Sequence, residues 1–184
     1  WSYDQLLLYR KDFGGVLSSK SAWPILVYGV PSLATRMKQQ VETAQHVAEF
    51  LEKDKRISSV FYPGLDSFPQ RVVARAQMHN YDEEFSPGSL LYFIMKGSSP
   101  AERKRRADRL VNHVAKRSYA ITLAVSLGNI RTLIEHPASM THSSISPDEQ
   151  MKRGIDPGGI RLSVGLEKPK DIIKDLKAAL IHVS

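Results

Sequence analysis

Apolar residues recur every three or four positions between residues 32 and 53, and this period predicts a long helix with one buried stripe. Pro31 suits the start of that helix, because the N–H that proline lacks is not needed in a first turn. A β-branched and aromatic run follows at 57–62, and Pro63-Gly64 closes it as a turn. The pattern therefore predicts a helix that leads into a strand.

Three further strands are expected downstream. A nearly continuous apolar run at 89–95 predicts a strand that is covered on both faces. The runs at 119–125 and 159–164 predict two more. In the last run Arg161 alternates with aliphatic residues, so its side chain is expected on the opposite face from theirs.

Two serine-to-glutamate patterns mark helix starts, at 99–102 and at 146–149. In such a capping box the serine oxygen accepts from the third helical N–H, and the glutamate reaches back to the serine N–H. Gly154 should end the second helix after two turns, and a last helix is expected from about Pro169.

The alternation of helices and strands predicts an α/β fold, with one sheet covered by helices. We expect residues 1–30 to be an extended lead-in and residues 31–184 to form the folded domain, which includes the long helix. The pattern leaves open whether the sheet is antiparallel or mixed.

Composition narrows the functional classes. The formal net charge is +7, and part of this excess lies in one predicted helix, at Arg103, Lys104, Arg105, Arg106 and Arg109. A solvated helix face explains such a run more simply than a nucleic-acid surface, although a non-catalytic basic nucleic-acid-binding module stays as the remote alternative. The chain has no cysteine, which excludes disulfides and thiolate metal sites within it. Without a membrane-length apolar stretch or a signal pattern, a cytoplasmic protein is expected, without a membrane or nucleic-acid partner.

A candidate ligand site lies between residues 125 and 165, where small hydroxyl residues accompany the strand-borne Arg161. These residues are Ser126, Thr141, Ser143, Ser144 and Ser163. A guanidinium can bind a carboxylate through two parallel hydrogen bonds, and a strand lowers the cost of ordering it. The alternative is that Arg161 pairs with a nearby acid such as Glu167 or Asp156. His136 and His142 have no carboxylates at metal-ligand spacing, and we interpret them as polar loop residues.

Several segments of the chain resemble the carboxyl-terminal part of the Cys/Met metabolism pyridoxal-phosphate enzymes, also called trans-sulfuration enzymes. The similar segments include Ala124-Val125-Ser126-Leu127-Gly128, the stretch from Leu133 to Ser143 (Leu-Ile-Glu-His-Pro-Ala-Ser-Met-Thr-His-Ser) and Gly159-Ile160-Arg161-Leu162-Ser163-Val164-Gly165. Earlier segments, Asp12-Phe13-Gly14-Gly15 and Tyr62-Pro63-Gly64-Leu65, agree with it. The resemblance implies the carboxyl-terminal domain of a fold-type I (aspartate-aminotransferase-like) enzyme.

By resemblance, Arg161 holds the α-carboxylate of an amino-acid substrate, assisted by Ser126 and the backbone at Leu127. Val125 and Thr141 are the other substrate-binding residues that the resemblance implies. Val125 stands where cystathionine-processing members have glutamate, which favours the branch that eliminates a thiol from methionine (methionine γ-lyases). Cystathionine γ-lyase, cystathionine γ-synthase and O-acetylhomoserine sulfhydrylase activities are the alternatives within the family.

The resemblance also implies that pyridoxal 5′-phosphate is held mainly outside this chain. The family's Schiff-base lysine lies in a Ser-x-Thr-Lys setting, and no lysine here has that context. We therefore expect no catalytic, cofactor-binding or metal-binding residue in this chain, and no activity from the chain alone. The expected partners are a sulfur amino-acid substrate, the remainder of the polypeptide and the other subunits of a homotetramer.

Overall fold

In the computed structural model, which describes residues 2–183, the chain forms two compact units that meet in sequence at Thr35 and Arg36. Residue 1, which begins the predicted range 1–30, and residue 184, which ends the predicted range 31–184, lie outside the described part. The helices are α1 (Tyr3–Phe13), α2 (Ser19–Pro24), α3 (Leu33–Lys53), α4 (Arg71–Gln77), α5 (Pro100–Arg117), α6 (Pro147–Lys152) and α7 (Pro169–Ile181). The strands are β1 (Ile57–Phe61), β2 (Leu90–Met95), β3 (Ile121–Leu123), β4 (Thr132–Glu135) and β5 (Gly159–Ser163).

The amino-terminal unit is helical, so the prediction of an extended lead-in was wrong. Ser2 begins α1 with a reciprocal cap: Gln5 N donates to Ser2 Oγ at 3.2 Å, and Ser2 N donates to Gln5 Oε1 at 2.9 Å. Gly14 ends the helix with φ +70°, a left-handed conformation that glycine adopts without strain. The missed signal was a capping box whose third helical residue is glutamine.

Pro24 lies at the end of α2 and is followed by a π-helical turn, Ile25–Gly29. The Val30 N–H donates to the Ile25 carbonyl at 2.8 Å, the wider i to i+5 spacing of a π turn. A proline inside a helix removes one i to i−4 bond and crowds the preceding turn. The helical path therefore continues past Pro24 as this widened turn.

The carboxyl-terminal unit is built on a five-stranded mixed sheet with the order β1-β2-β5-β4-β3. Every neighbouring pair is antiparallel except β3 with β4, which is parallel. Strand β4 was not predicted, and the strand expected over 119–125 is confined to three residues. The helix α4 was also not predicted from the pattern.

The core lies on one face of the sheet, where α5 packs against β2, β3, β5 and α7. Alternate strand residues point into it and are fully buried, including Leu91, Phe93, Met95, Ile160, Leu162 and Ile134. The buried stripe of α3, including Val47 and Leu51, belongs to the same core. This face therefore agrees with the predicted helical cover.

The opposite face of β2 is partly open. Tyr92 and Ile94 are half-buried, and Leu90 is 42% exposed. The prediction that this strand is covered on both faces was therefore wrong for this chain. Alternate residues of this apolar run point into the core, and the residues between them line the open face.

Serine begins both of the helices for which a capping box was predicted. Ser99 Oγ accepts from Glu102 N, and Ser146 Oγ accepts from Glu149 N. The reciprocal half differs in α5, since the Glu102 carboxylate accepts from Ser98 N at 2.7 Å rather than from the capping serine. These bonds lower the pKa of Glu102, with the Ser98 hydroxyl as the largest cause.

Candidate functional site

A row of four side chains crosses the open face of the sheet, one from each of four neighbouring strands. Register places Phe61 opposite Tyr92, Tyr92 opposite Arg161, and Arg161 opposite Glu135. Arg161 is thus presented on the face opposite its aliphatic neighbours, as the alternation predicted. The row joins two aromatic rings to a charged pair, which forms the polar end of this face.

Arg161 is held by two acceptors on one of its nitrogens. Its Nη2 donates to Glu135 Oε2 at 2.7 Å and to the Ser126 carbonyl at 3.2 Å. Neither acid named in the alternative interpretation is its partner. Glu167 accepts from Thr132, and Asp156 forms an ion pair with Arg103. An acid does hold Arg161, but it comes from the strand that the pattern missed.

The guanidinium keeps donors for a ligand. Among residues 2–183, Nε and Nη1 of Arg161 have no hydrogen-bond partner, and the side chain is 24% exposed. A carboxylate bound through two parallel bonds would need Nη2 together with Nε or Nη1. The Ser126 carbonyl, at 3.2 Å, is the weaker of the two present contacts on Nη2.

Glu135 is nearly fully buried, with 1% of its surface exposed. Its second oxygen, Oε1, accepts from the Thr141 hydroxyl at 3.2 Å. The Thr141 oxygen also lies 2.9 Å from His142 Nδ1. Because a hydroxyl carries one proton, donation to Glu135 requires that the hydroxyl accept from His142, which places the imidazole proton on Nδ1. The buried carboxylate is therefore bonded on both oxygens.

The loop of residues 126–129 is fixed by hydrogen bonds from its backbone to side chains of two elements, β5 and α3. Gly128 N donates to Ser163 Oγ at 3.0 Å, and the Asn129 carbonyl accepts from the buried Gln40 of α3 at 2.9 Å. Gly128 has φ +73°, where a side chain would be strained. Within residues 2–183 the N–H groups of Ser126 and Leu127 have no acceptor, so they are available to a ligand.

A second anchor lies at the end of β5. A Cβ on Gly165 would lie 2.5 Å from the Thr132 nitrogen and would also meet the Ile130 carbonyl oxygen. Gly165 N donates to Thr132 Oγ1 at 2.9 Å, and Thr132 Oγ1 donates to Glu167 Oε2 at 2.7 Å. This glycine is required by the close approach of the two backbones, which ties β5 to the segment that enters β4.

The predicted site residues are not equally placed. Arg161 and the Ser126 carbonyl are in contact, and Thr141 reaches them through Glu135. Val125 and Leu127 are exposed by 57% and 58%; Leu127 lies on the anchored loop, and Val125 directly precedes it. Sequence reasoning missed Glu135 and Gln40 as structural partners of the site. The available signal for Glu135 was the β-branched Thr-Leu-Ile-Glu run at 132–135.

Tyr92 lines the row beside Arg161 and is fixed at its hydroxyl. Burial raises the pKa of Tyr92, and the hydroxyl accepts from Asp156 N at 3.2 Å. A Cβ on Gly159 would collide with the Tyr92 hydroxyl, so the glycine leaves room for this ring. Tyr92 thus joins β2 to the loop that precedes the arginine strand.

The basic helix α5 has much of its charge paired. Arg103 binds Asp156 through two bonds of 3.0 Å, and Lys104 and Arg106 form ion pairs with acids on α5 itself. Pairing of this kind agrees with the interpretation of a solvated helix face. Asp156, which binds Arg103, lies in the turn before β5, so this pair connects α5 to that turn.

His136 differs from its prediction as a polar loop residue, because only 1% of it is exposed. Its Nε2 lies 2.7 Å from the Pro157 carbonyl, and its Nδ1 lies 2.8 Å from Ser139 Oγ. Since a carbonyl only accepts, Nε2 carries the proton in that bond.

In the part of the chain that the structure describes, no group of three metal-ligating side chains is present. Nor, over the same residues, is any helix long and apolar enough to cross a bilayer.

The mixed sheet with helices on its core face, and an arginine on its open face, is the arrangement of a carboxyl-terminal domain of fold-type I pyridoxal-phosphate enzymes. The chain belongs to the Cys/Met metabolism PLP-dependent enzyme family, whose model matches residues 1–181. This confirms the family and the fold class that the resemblance implied.

Relatives and solved structures agree with this assignment. The chain is 43% identical over 170 residues to an L-methionine γ-lyase of Porphyromonas gingivalis, covering 92% of this chain and 39% of that protein. It is 37% identical over 177 residues to a cystathionine β-lyase of Coxiella burnetii, covering 96% of this chain and 42% of that protein. A cystathionine γ-lyase structure from Micromonospora echinospora matches with a TM-score of 0.78 and 34% identity, over 95% of this chain and 41% of that one. The chain thus spans about two fifths of the relatives it matches.

Pyridoxal 5′-phosphate is the cofactor of this family. A matching structure from Campylobacter jejuni, described as a putative O-acetylhomoserine (thiol)-lyase, contains N′-pyridoxyl-lysine-5′-monophosphate. The five strands of the present sheet contain no lysine. These strands thus carry no amine for the cofactor, and their charged side chains are Arg161 and Glu135.

Proposed function

We propose that this chain supplies the substrate-carboxylate site of a pyridoxal-phosphate-dependent carbon–sulfur lyase. The reaction we propose is elimination of a thiol from methionine or a related sulfur amino acid, an α,γ-elimination. The observation that carries the proposal is Arg161, whose Nε and Nη1 have no partner within residues 2–183 while Nη2 is fixed. Membership of the family supports the same proposal.

The proposed role of Arg161 is to bind the α-carboxylate and so to fix one end of the substrate. Charge-assisted bonds from a guanidinium are short and directional, and placement on a strand reduces the entropy lost when the bond forms. The N–H groups of Ser126 and Leu127, which have no acceptor within residues 2–183, would add neutral donors. This set of donors orients a carboxylate but cannot take a proton from the substrate.

When bound, pyridoxal phosphate supplies an electron-withdrawing ring that makes the substrate's α-proton acidic. The contribution of this chain is to hold the substrate so that its reacting bonds meet that ring. A fixed orientation can account for a large part of a rate enhancement, because bound groups need not find one another by diffusion. The anchored loop of residues 126–129 supports this positioning role.

Methionine is the proposed substrate because Val125 is apolar and stands beside the carboxylate-binding loop. A thioether methyl group suits such a residue, whereas the second charged end of cystathionine would gain nothing from it. Relatives described as L-methionine γ-lyases support this choice. The alternative is a cystathionine lyase, cystathionine γ-synthase or O-acetylhomoserine sulfhydrylase activity on the same scaffold.

Partners are proposed from the resemblance and from exposed apolar surface. In the amino-terminal unit Leu8, Phe13, Trp23 and Tyr28 are exposed by 56%, 80%, 64% and 67%. Large exposed apolar residues of this kind mark contact surfaces. They support contacts with further polypeptide, which we propose to be the rest of the enzyme and the subunits of a homotetramer in the cytoplasm.

The test is the steady-state kinetics of Arg161→Lys in the complete polypeptide loaded with pyridoxal phosphate. Lysine keeps the charge but cannot reproduce the planar donor pair. We expect KM for methionine to rise by about one order of magnitude, the value of roughly 1.4 kcal/mol of lost binding. A wild-type KM would remove Arg161 from the substrate site. Absence of thiol release by the wild-type protein would reject the reaction itself.

A further inference from the structure

Glu135 is a charged residue at a depth where charge is costly. Its side chain is 1% exposed, and it lies on the open face of the sheet directly opposite Arg161. An ionised carboxylate at this depth is destabilising by several kcal/mol unless it is paired and hydrogen-bonded. Its hydrogen-bond partners therefore offset the cost of burying the charge, and they also indicate the role of Glu135.

Both carboxylate oxygens of Glu135 accept hydrogen bonds. Oε2 accepts from Arg161 Nη2 at 2.7 Å, and Oε1 accepts from Thr141 Oγ1 at 3.2 Å. Because β4 and β5 are hydrogen-bonded neighbours, the two Cα atoms are held opposite each other by the sheet itself. The guanidinium plane thus has one preferred setting, which the Ser126 carbonyl supports at the other hydrogen of Nη2.

We propose that Glu135 is a positioning residue that fixes the Arg161 guanidinium in the direction from which a substrate carboxylate approaches. This inference rests on the proposed function of Arg161 and names the residue on which that function depends. The ion pair also offsets the positive charge of Arg161. Recognition of the carboxylate then depends on the direction of the guanidinium donors more than on an unpaired charge.

The kinetic signature follows from where Arg161 acts. A carboxylate anchor binds the ground state and the transition state alike, so its loss raises KM and leaves kcat nearly unchanged. In the complete, cofactor-loaded polypeptide we expect Glu135→Ala to raise KM for methionine about tenfold, with kcat changed less than about threefold. Glu135→Gln keeps an acceptor of the same shape toward Nη2, and we expect its KM to stay within about threefold of wild type.

A double-mutant cycle with Arg161→Met tests whether Glu135 acts through the arginine. Residues that work as a unit are not additive, so adding Glu135→Ala to Arg161→Met should leave KM where the arginine variant put it. A further rise of about tenfold in that background would overturn the proposal, because Glu135 would then act on something else. A wild-type KM in Glu135→Ala would overturn it as well.

These outcomes are separable from failure of the proposed function. If Arg161→Met leaves KM unchanged, the carboxylate site itself is refuted, whatever Glu135 does. Thermal unfolding of each variant checks that the fold persists. Should Glu135→Ala fail to fold, Glu135→Asp takes its place: it retains the charge but falls short of Nη2, and we expect it to raise KM while a merely structural charge would not.

Discussion

Replacing Gly165 with alanine tests how the end of β5 is fixed to the segment before β4. The added Cβ would lie 2.5 Å from both the Arg131 carbonyl carbon and the Thr132 nitrogen. These are backbone atoms, which cannot turn aside as a flexible side chain would. The two backbone segments must move apart, so the substitution acts on tertiary packing at the base of the candidate site.

The expected cost combines two effects. Forcing a methyl group into a packed site costs about 1–3 kcal/mol. Separation of the two backbone segments also stretches two hydrogen bonds. These are the bond from Gly165 N to Thr132 Oγ1, at 2.9 Å, and the bond from Leu166 N to the Ile130 carbonyl, at 2.8 Å. Each such bond contributes roughly 1 kcal/mol. We therefore expect a total loss of about 3–5 kcal/mol, a large part of the roughly 5–15 kcal/mol of a typical domain.

Gly154→Ala is the matched control. Gly154 has φ +77° but no atom within 4 Å of an added Cβ, so its substitution costs only the strain of a left-handed residue. That strain is about 1–2 kcal/mol. Denaturant midpoints of the complete polypeptide measure the two losses. Amide hydrogen exchange locates the larger one, which should appear in peptides covering 126–135 and 159–167.

If Gly165→Ala is no more destabilising than Gly154→Ala, the close backbone approach is not a constraint and the reasoning fails. Loss of exchange protection confined to α7 would contradict it too, since the colliding backbone atoms belong to residues 130–132. Unchanged protection of the 126–135 peptide would show that the loop does not depend on this contact.

Two further predictions concern a half-buried carboxylate, Asp175, and the choice of substrate. Asp175 accepts from Ser118 Oγ and from the backbone N–H groups of Tyr119 and Ala120; burial alone would raise its pKa, but these bonds outweigh burial and lower it below the ordinary 3.8. Asp175→Asn should therefore cost about 1–3 kcal/mol near neutral pH. The difference from wild type should shrink as pH falls below about 4, because the unfolded chain then takes up the proton first and the native carboxylate follows only at lower pH. A difference constant between pH 7 and pH 2 in chemical unfolding would refute this. Val125→Glu should lower kcat/KM for methionine relative to cystathionine by about tenfold, and an unchanged ratio would show that Val125 does not set specificity.

Much of the fold followed from local patterns, because those patterns are decided by local physics. The long helix α3, the strands β1, β2 and β5 and the last helix all carry their own periodicity, and the serines of α5 and α6 carry their own caps. Arg161 could be assigned to the open face because strand side chains alternate.

The missing parts depended on contacts distant in sequence. Strand β4 has only four residues, and all four are buried, so no alternation distinguishes it from a loop. Because β4 was missed, the pairing of Glu135 with Arg161, 26 positions away in sequence, could not be expected. The buried state of His136 was missed for a similar reason, since its ring nitrogens contact the Pro157 carbonyl and the Asp108 carboxylate, both distant in sequence.

The helical state of the amino-terminal unit was missed for a different reason. The unit has large exposed apolar residues and no buried ones among those described in α1 and α2. In α1 the apolar residues at 6–9 are consecutive, so the sequence shows no single apolar stripe. Its caps at Ser2 and Ser18 were the more reliable indication.

The central claim is that Arg161 binds a carboxylate, and the most direct measurement is the binding of 3-(methylthio)propionate to the complete, cofactor-loaded polypeptide. This compound has the carboxylate and thioether of methionine but no amine, so its affinity reports the carboxylate site without chemistry at the cofactor. We predict that calorimetry will give a Kd about 10- to 100-fold weaker for Arg161→Met than for wild type, corresponding to roughly 1.5–3 kcal/mol. Equal Kd values in two folded proteins would contradict the account.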